Sequence, residues 1–288
     1  SKVVKANYTT EIPVIDGIEN DSVWQKVQGV DIQITGNFSV TMKTCYSDDK
    51  VFILVSWLDE DESRTDNKWR FDGQKWTRAL QDRLGIIWNV DDSIENFYSR
   101  GCTPLCHDQL PDKEKWYTSV DNEETKAEQW QWTAGASDLF GKMECQKIGM
   151  IPEGVDPATA PNFDPDSIVK NFPGDIGFSF NQTVGRKMPH FTYKAGVQKK
   201  DNPTKDEMEE IKNYSIFKKG DTLPYLIYST PSGDRAIIDA KGKWDRGLWT
   251  LEISRPLKTS NPEQIQFEPK PNGWVYYCLL YTSDAADE

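Results

Sequence analysis

A mainly β protein, a β-sandwich with long decorated loops, is predicted by three observations. Apolar and polar residues alternate with period two toward both ends of the chain. Turn signals rich in Gly, Pro, Asp and Ser separate those runs. No segment sustains a helical repeat beyond a short, weak one from Pro203 to Lys212. Sandwiches and barrels of roughly 200 to 250 residues often form a single unit, so one domain over residues 1–277 is expected.

The first element is a hairpin: Phe38 to Tyr46, a turn at Ser47-Asp-Asp-Lys50, then the apolar run Val51 to Trp57. Arg83 to Trp88 is a further run of strand length, closed by the polar Asn89-Val-Asp-Asp-Ser93. From Gly101 to about Gly220 the chain turns polar and rich in Pro, Gly and Asp. Insertions of that length inside a compact domain are usually functional, and a prosthetic group that organises these loops accounts for them. Strands return at Leu223 to Tyr228, Ala236 to Ala240 and Leu248 to Ser254, with turns at Pro231-Ser-Gly-Asp234 and Asp245-Arg-Gly247. No solenoid-type repeat is present.

Charged residues make up 28% of the chain and the net charge is -12, which disfavours nucleic acid and anionic lipid as partners, since both recruit clustered Lys and Arg. No run approaches the roughly 18 apolar residues that a membrane-spanning helix needs, so no membrane span is expected. The chain opens with Ser-Lys, which fits removal of a leader and equally a trimmed start; export to a periplasmic or extracellular side is expected, chiefly on the ground of the Cys102 to His107 segment described below. The last eleven residues, Cys278 to Glu288, follow the strand-like Gly273-Trp-Val-Tyr-Tyr277 without a turn signal and match the translation of a transposase adapter used in DNA library preparation. They are expected to be a non-native tail.

Chemistry concentrates in Cys102-Thr-Pro-Leu-Cys106-His107. Two thiols followed at once by an imidazole are what a covalently attached haem requires: the sulfurs add to two vinyl groups and the histidine lies beneath the iron. The usual spacing has two residues between the cysteines, and here there are three. Two other chemistries fit the same residues, a Cys102–Cys106 disulfide and a zinc site completed by Cys145. A second axial ligand comes from Met188 or His190, with Met143 and Lys241 as weaker candidates. Cys45 and Cys145 form an even remainder that suits a structural disulfide. Trp116, Trp130 and Trp132 follow the cysteine segment and suit a macrocycle, a sugar ring or a plain core.

The order of short features resembles the haem-binding family of ethylbenzene dehydrogenase, which includes the γ subunits of dimethylsulfide dehydrogenase and nitrite oxidoreductase. The matching stretches are Asp16-Gly17 with Trp24, Val51 to Trp57 with Asp59, Asp82 to Trp88, Gly101 to His107, Gln129-Trp-Gln-Trp132, Leu223-Pro224, and Gly242 to Trp249 leading to Ser254-Arg-Pro-Leu257. The resemblance implies a sandwich enclosing one haem, and partnership with molybdopterin and iron–sulfur subunits and with another cytochrome. It also implies an electron-transfer role without catalysis of its own. Several members hold a b-type haem through Met and Lys, here carried onto Lys241 or Lys243. The cysteine pair departs from that pattern and looks like a c-type variant. The opening Asp16-Gly17, Trp24 and Val51 to Trp57 also resemble family 9 carbohydrate-binding sandwiches.

Overall fold

The computed structural model describes residues 2–35, 38–111, 116–160, 163–183, 185, 187–270 and 273–282. Eleven strands form one continuous curled sheet: β1 (Ala6–Tyr8), β2 (Val30–Thr35), β3 (Phe38–Tyr46), β4 (Lys50–Leu58), β5 (Arg83–Asn89), β6 (Ala127–Thr133), β7 (Lys142–Ile148), β8 (Val169–Asn171), β9 (Ile238–Asp245), β10 (Leu248–Pro256) and β11 (Tyr276–Thr282). Their spatial order is β1-β3-β4-β10-β9-β7-β6-β5-β11, with β2 also on β3 and β8 also on β7. All pairs are antiparallel except β1 with β3.

The sheet folds into two leaves because β9 meets β7 over only two residue pairs, Asp239 with Lys142 and Ile238 with Met143. Each leaf turns an alternating apolar face inward. Val40, Met42, Ile53, Val55, Trp57, Trp249, Leu251 and Ile253 come from one leaf; Leu84, Ile86, Trp88, Trp130, Trp132 and Met143 come from the other. At the centre Trp57, Trp132 and Trp249 sit with ring centroids 5.1 to 6.0 Å apart. Trp132 packs so close to β9 that a Cβ on Gly242 would lie 2.3 Å from its ring, which explains a glycine inside a strand.

The outward faces are covered as well. Phe52, Leu54 and Cys45 take the one-turn helix Ser22–Gln25, through Val23 and Trp24. Ile87, Ala127 and Ile148 take Ile94, Phe97, Cys102, Leu105 and Val120. A separate cluster around Trp69, Tyr225, Leu226, Phe178 and Ala136 caps the end of the sandwich beyond Thr133.

The expected hairpin is present as β3–β4, and the other expected strands are present as β5, β9 and β10, with β9 starting only at Ile238 because Asp234–Ala236 is a 3-10 turn. Arg246 and Gly247 both have positive φ, 49° and 85°, and form the two-residue turn between β9 and β10. Four details differ. The middle of the chain is not mere loop, since β6 and β7 lie inside the main sheet. The weak helical stretch is a single 3-10 turn, Lys205–Glu207, closed by a Thr204/Glu207 capping box and followed by the strand Met208–Glu210. Leu223 to Tyr228 is two short strands in different sheets, Thr222–Pro224 and Leu226–Tyr228, parted at Tyr225 directly after the proline that ends the first. β11 runs through Thr282 and so takes in residues expected to lie outside the fold.

Candidate functional site

Cys102 follows a one-turn helix, Phe97–Arg100, and the next residues make a further turn in which Leu105 N–H and Cys106 N–H both donate to Cys102 O, at 2.8 and 3.2 Å. That i,i+4 relation places the two cysteines on one side of the turn. Leu105 is 2% exposed and anchors the segment on Ile87 and Ile148, on the outward face of β5 to β7. The segment therefore lies outside the sandwich rather than between its leaves.

Cys106–His107 is a two-residue strand paired with Tyr117–Thr118. Consecutive strand residues point to opposite sides. Cys106 turns toward the apolar cluster, and burial raises its thiol pKa, with Asp108 adding to the effect. His107 turns away from it, stacked on Tyr117 at 4.4 Å with Nε2 3.1 Å from Ser119 Oγ. Tyr117 in turn meets Phe163 edge-on at 5.4 Å. Imidazole, two sulfurs and a pair of flanking rings thus share a short stretch of chain, with the Cys106 sulfur and the His107 ring on opposite sides of the two-residue strand.

The alternatives for these cysteines are corrected by their partners. Cys102 is joined to Cys278 of β11, with Cα atoms 5.8 Å apart, and Cys106 is a free thiol. Cys145 is on the inward face of the same leaf, so it cannot complete a zinc set. No group of three or more His, Cys, Asp or Glu suited to a metal exists among the described residues. Cys45 and Cys145 do not pair either, because one faces outward from β3 and the other inward from β7, both as buried free thiols.

Met188 and His190 are elsewhere. Their loop hangs on buried Asn181, whose Oδ1 accepts His190 N–H at 2.9 Å and Phe191 N–H at 2.7 Å, and whose Nδ2 donates to Phe191 O and Pro224 O. Asn181 O accepts Trp69 Nε1–H, which fixes the loop to the end cluster beyond Thr133. The cysteine segment sits near the other end of β5 and β6, six residue steps or about 20 Å away. Met188 is 36% exposed, and His190 Nε2 lies 3.1 Å from Glu210 Oε1. The structure does not bring Met188 or His190 to His107.

The remaining ligand candidates have other duties. Met143 is fully buried in the main core. Lys241 donates to Asp138 O and Oδ2 at 3.0 and 2.9 Å. Asp138 is itself 0% exposed and accepts from Trp132 Nε1 at 3.0 Å, Gly242 N at 2.6 Å and Arg64 Nη1 at 2.9 Å. Lys241 is one arm of that hub. Lys243 is exposed, on the outward side of β9.

A charged group inside the sandwich was not anticipated. Glu128, Cys145 and Arg255 point inward from β6, β7 and β10 and are all 0% exposed. Glu128 Oε1 accepts Trp130 Nε1–H at 2.6 Å and the Cys145 thiol at 2.9 Å, and lies 3.5 Å from Arg255 Nη2; its Oε2 accepts Ile265 N–H. Arg255 also donates to Ile265 O at 2.8 Å and lies over the rings of Trp130 and Phe267. The sequence carries one sign of this: in Ala127-Glu-Gln-Trp-Gln-Trp-Thr133, Glu128 occupies the same phase as the buried tryptophans.

No curated protein sequence matches the chain. Among solved structures, a family 9 carbohydrate-binding module from Caldicellulosiruptor kristjanssonii, in complex with cellotriose, is similar at 13% identity over 88% of this chain and 69% of that one, with a TM-score of 0.30. That likeness lends no weight to a sugar-binding role. Residues 21–275 match the family described as ethylbenzene dehydrogenase, and the chain belongs to that family.

Proposed function

We propose that this chain is a haem-carrying electron-transfer subunit, of the γ type, that relays electrons to or from a periplasmic molybdopterin oxidoreductase such as a nitrite oxidoreductase. Membership of the ethylbenzene dehydrogenase family over residues 21–275 carries the proposal, since that family supplies subunits of oxidoreductase complexes. The donor set supports a covalently attached haem of c type: Cys102 and Cys106 for the vinyl groups and His107 for the iron. Met188 was the expected sixth ligand and is too distant in this fold, so the proposal places the iron on His107.

A haem with protein ligands on the iron supplies one-electron exchange. Each residue then has a defined task. Leu105 holds the segment on the sheet. Tyr117 stacks on the His107 ring and sets its plane, and Nε2, which is hydrogen-bonded to Ser119 Oγ, would have to leave that bond to hold the iron. The Cys102 thiol has to be free of Cys278, which follows if the final eleven residues are foreign. The acidic surface steers the subunit toward a basic face of a partner cytochrome.

The test is a pyridine haemochrome spectrum of the protein expressed with a cytochrome c maturation system and ended at residue 277. Retention of the α band after acid-acetone extraction, and its loss in Cys102→Ser/Cys106→Ser, are expected. A colourless product, or colour fully extracted by acid-acetone, would refute c-type attachment.

A further inference from the structure

A second site lies at the opposite edge of the fold. A cavity of about 570 Å³ opens beside the β3–β4 turn, lined by Tyr8, Tyr46, Asp48, Asp49, Lys50 and Phe267 among others. Its frame is held by backbone: Tyr8 pairs with Tyr46 across β1 and β3, Leu257 N–H donates to Asp49 O at 2.8 Å, and Phe267 N–H donates to Leu257 O at 2.8 Å.

The two tyrosine rings meet at 67° with centroids 5.6 Å apart, so they form adjoining walls of a corner. Tyr8 is 53% exposed, and its hydroxyl donates to Asp48 Oδ1 at 3.0 Å. That bond locks the ring and raises the phenol pKa, keeping it neutral. Asp49 accepts Ser47 Oγ–H at 2.9 Å. Neither Asp48 nor Asp49 has a Lys or Arg ion-pair partner among the described residues. Lys258 also lines the cavity but is paired with Glu268 at 3.1 Å, so two carboxylates face one uncommitted ammonium, Lys50.

Aromatic faces set at an angle, with excess negative charge beside them, are what a poorly hydrated organic cation requires; a primary ammonium keeps its water too firmly to gain as much from the rings. The far face of Phe267 is already taken by Arg255 at 5.6 Å, which leaves Tyr8 and Tyr46 as the faces that receive the cation. We propose that this corner is a binding site for a small quaternary or methylated ammonium compound, seated against Tyr8 and Tyr46 with its charge toward Asp48 and Asp49. The proposal does not depend on the haem.

Calorimetric titration of the full chain with choline, and with its uncharged carbon isostere 3,3-dimethylbutan-1-ol, tests it. Choline is expected to bind and the isostere to bind at least about tenfold more weakly. Tyr8→Leu, on an exposed edge strand, is expected to weaken choline about two- to fivefold, as an exposed cation–π contact does, while Tyr8→Phe retains it. Asp48→Asn is expected to weaken choline and to reduce the salt dependence of binding. Equal binding of choline and the isostere, an unaltered affinity in Tyr8→Leu with an unchanged circular dichroism spectrum, or no choline binding at all would overturn the proposal.

Discussion

Replacing Glu128 by Gln removes one charge from the centre of the sandwich and leaves its shape nearly intact. Arg255 is 0% exposed, so it has no water to turn to, and its Nη2 lies 3.5 Å from Glu128 Oε1. At that distance and an effective dielectric of about 20, the lost attraction is about 5 kcal/mol. Measured costs of breaking a buried pair by removing one partner are similar, about 3 to 5 kcal/mol, because the survivor stays buried and charged. The amide also presents an N–H₂ group where two oxygens now accept from Trp130, Cys145 and Ile265. Urea unfolding followed by tryptophan fluorescence should show a loss of at least about 3 kcal/mol for Glu128→Gln. Glu128→Leu/Arg255→Met, which removes both charges, should cost far less than the two single changes added together. A loss under about 1 kcal/mol for Glu128→Gln, or strict additivity of the double change, would show that the pair is not an energetic unit.

Three further outcomes follow from the same structure. Glu252 is buried, mainly desolvated, and has its pKa raised despite accepting Asp16 N–H, Gly17 N–H and Trp24 Nε1–H. The folded state therefore holds its proton more tightly than the unfolded state, and stability from this group is full below the ordinary value of 4.5 and declines as pH rises above it. Unfolding of wild type and Glu252→Gln at a series of pH values should show the gap shifting against wild type as pH rises from that point, and an unchanging gap would refute it. Burial pushes the Cys45 thiol up to about 12 and Cys145 well above its usual value. Iodoacetamide on the native, haem-free protein should therefore modify Cys106 first by peptide mass spectrometry, with Cys45 and Cys145 reacting only after unfolding. Gly242→Ala forces a Cβ to 2.3 Å from Trp132 and should cost about 1 to 3 kcal/mol, seen as a lower Tm; an unchanged Tm would mean that the ring can yield.

The strands that were legible in the sequence carry their own punctuation. β3 and β4 alternate around Ser47 to Lys50, and β10 is preceded by Arg246-Gly247. β6 was legible in principle, since Glu128, Trp130 and Trp132 keep period two, but it is embedded in polar, turn-rich sequence that reads as loop. β7 has no comparable signal: Lys142-Met-Glu-Cys-Gln-Lys-Ile148 buries Met143, Cys145 and Ile148 amid charges whose partners, such as Arg235 for Glu144, are remote in sequence.

At the candidate site, the spacing of Cys102, Cys106 and His107 gives the donor types but not their directions. The pairing of Cys106–His107 with Tyr117–Thr118 decides those directions, and no local pattern foretells a two-residue strand. The distance of Met188 from His107 is likewise a matter of topology: Asn181 ties that loop to Phe191 and Pro224 at the far end of the leaf.

Ile94, Phe97, Cys102, Leu105 and Val120 all seat on the outside of the leaf. The apolar interior is filled by its own tryptophans and closes on itself, with nothing borrowed from the cysteine segment. Packing of that interior asks nothing of the cysteine segment, so under the proposed function a haem would be attached outside a core that needs no cofactor to fill it. Loss of the cysteine pair would then remove the proposed attachment while leaving the main core's contacts untouched.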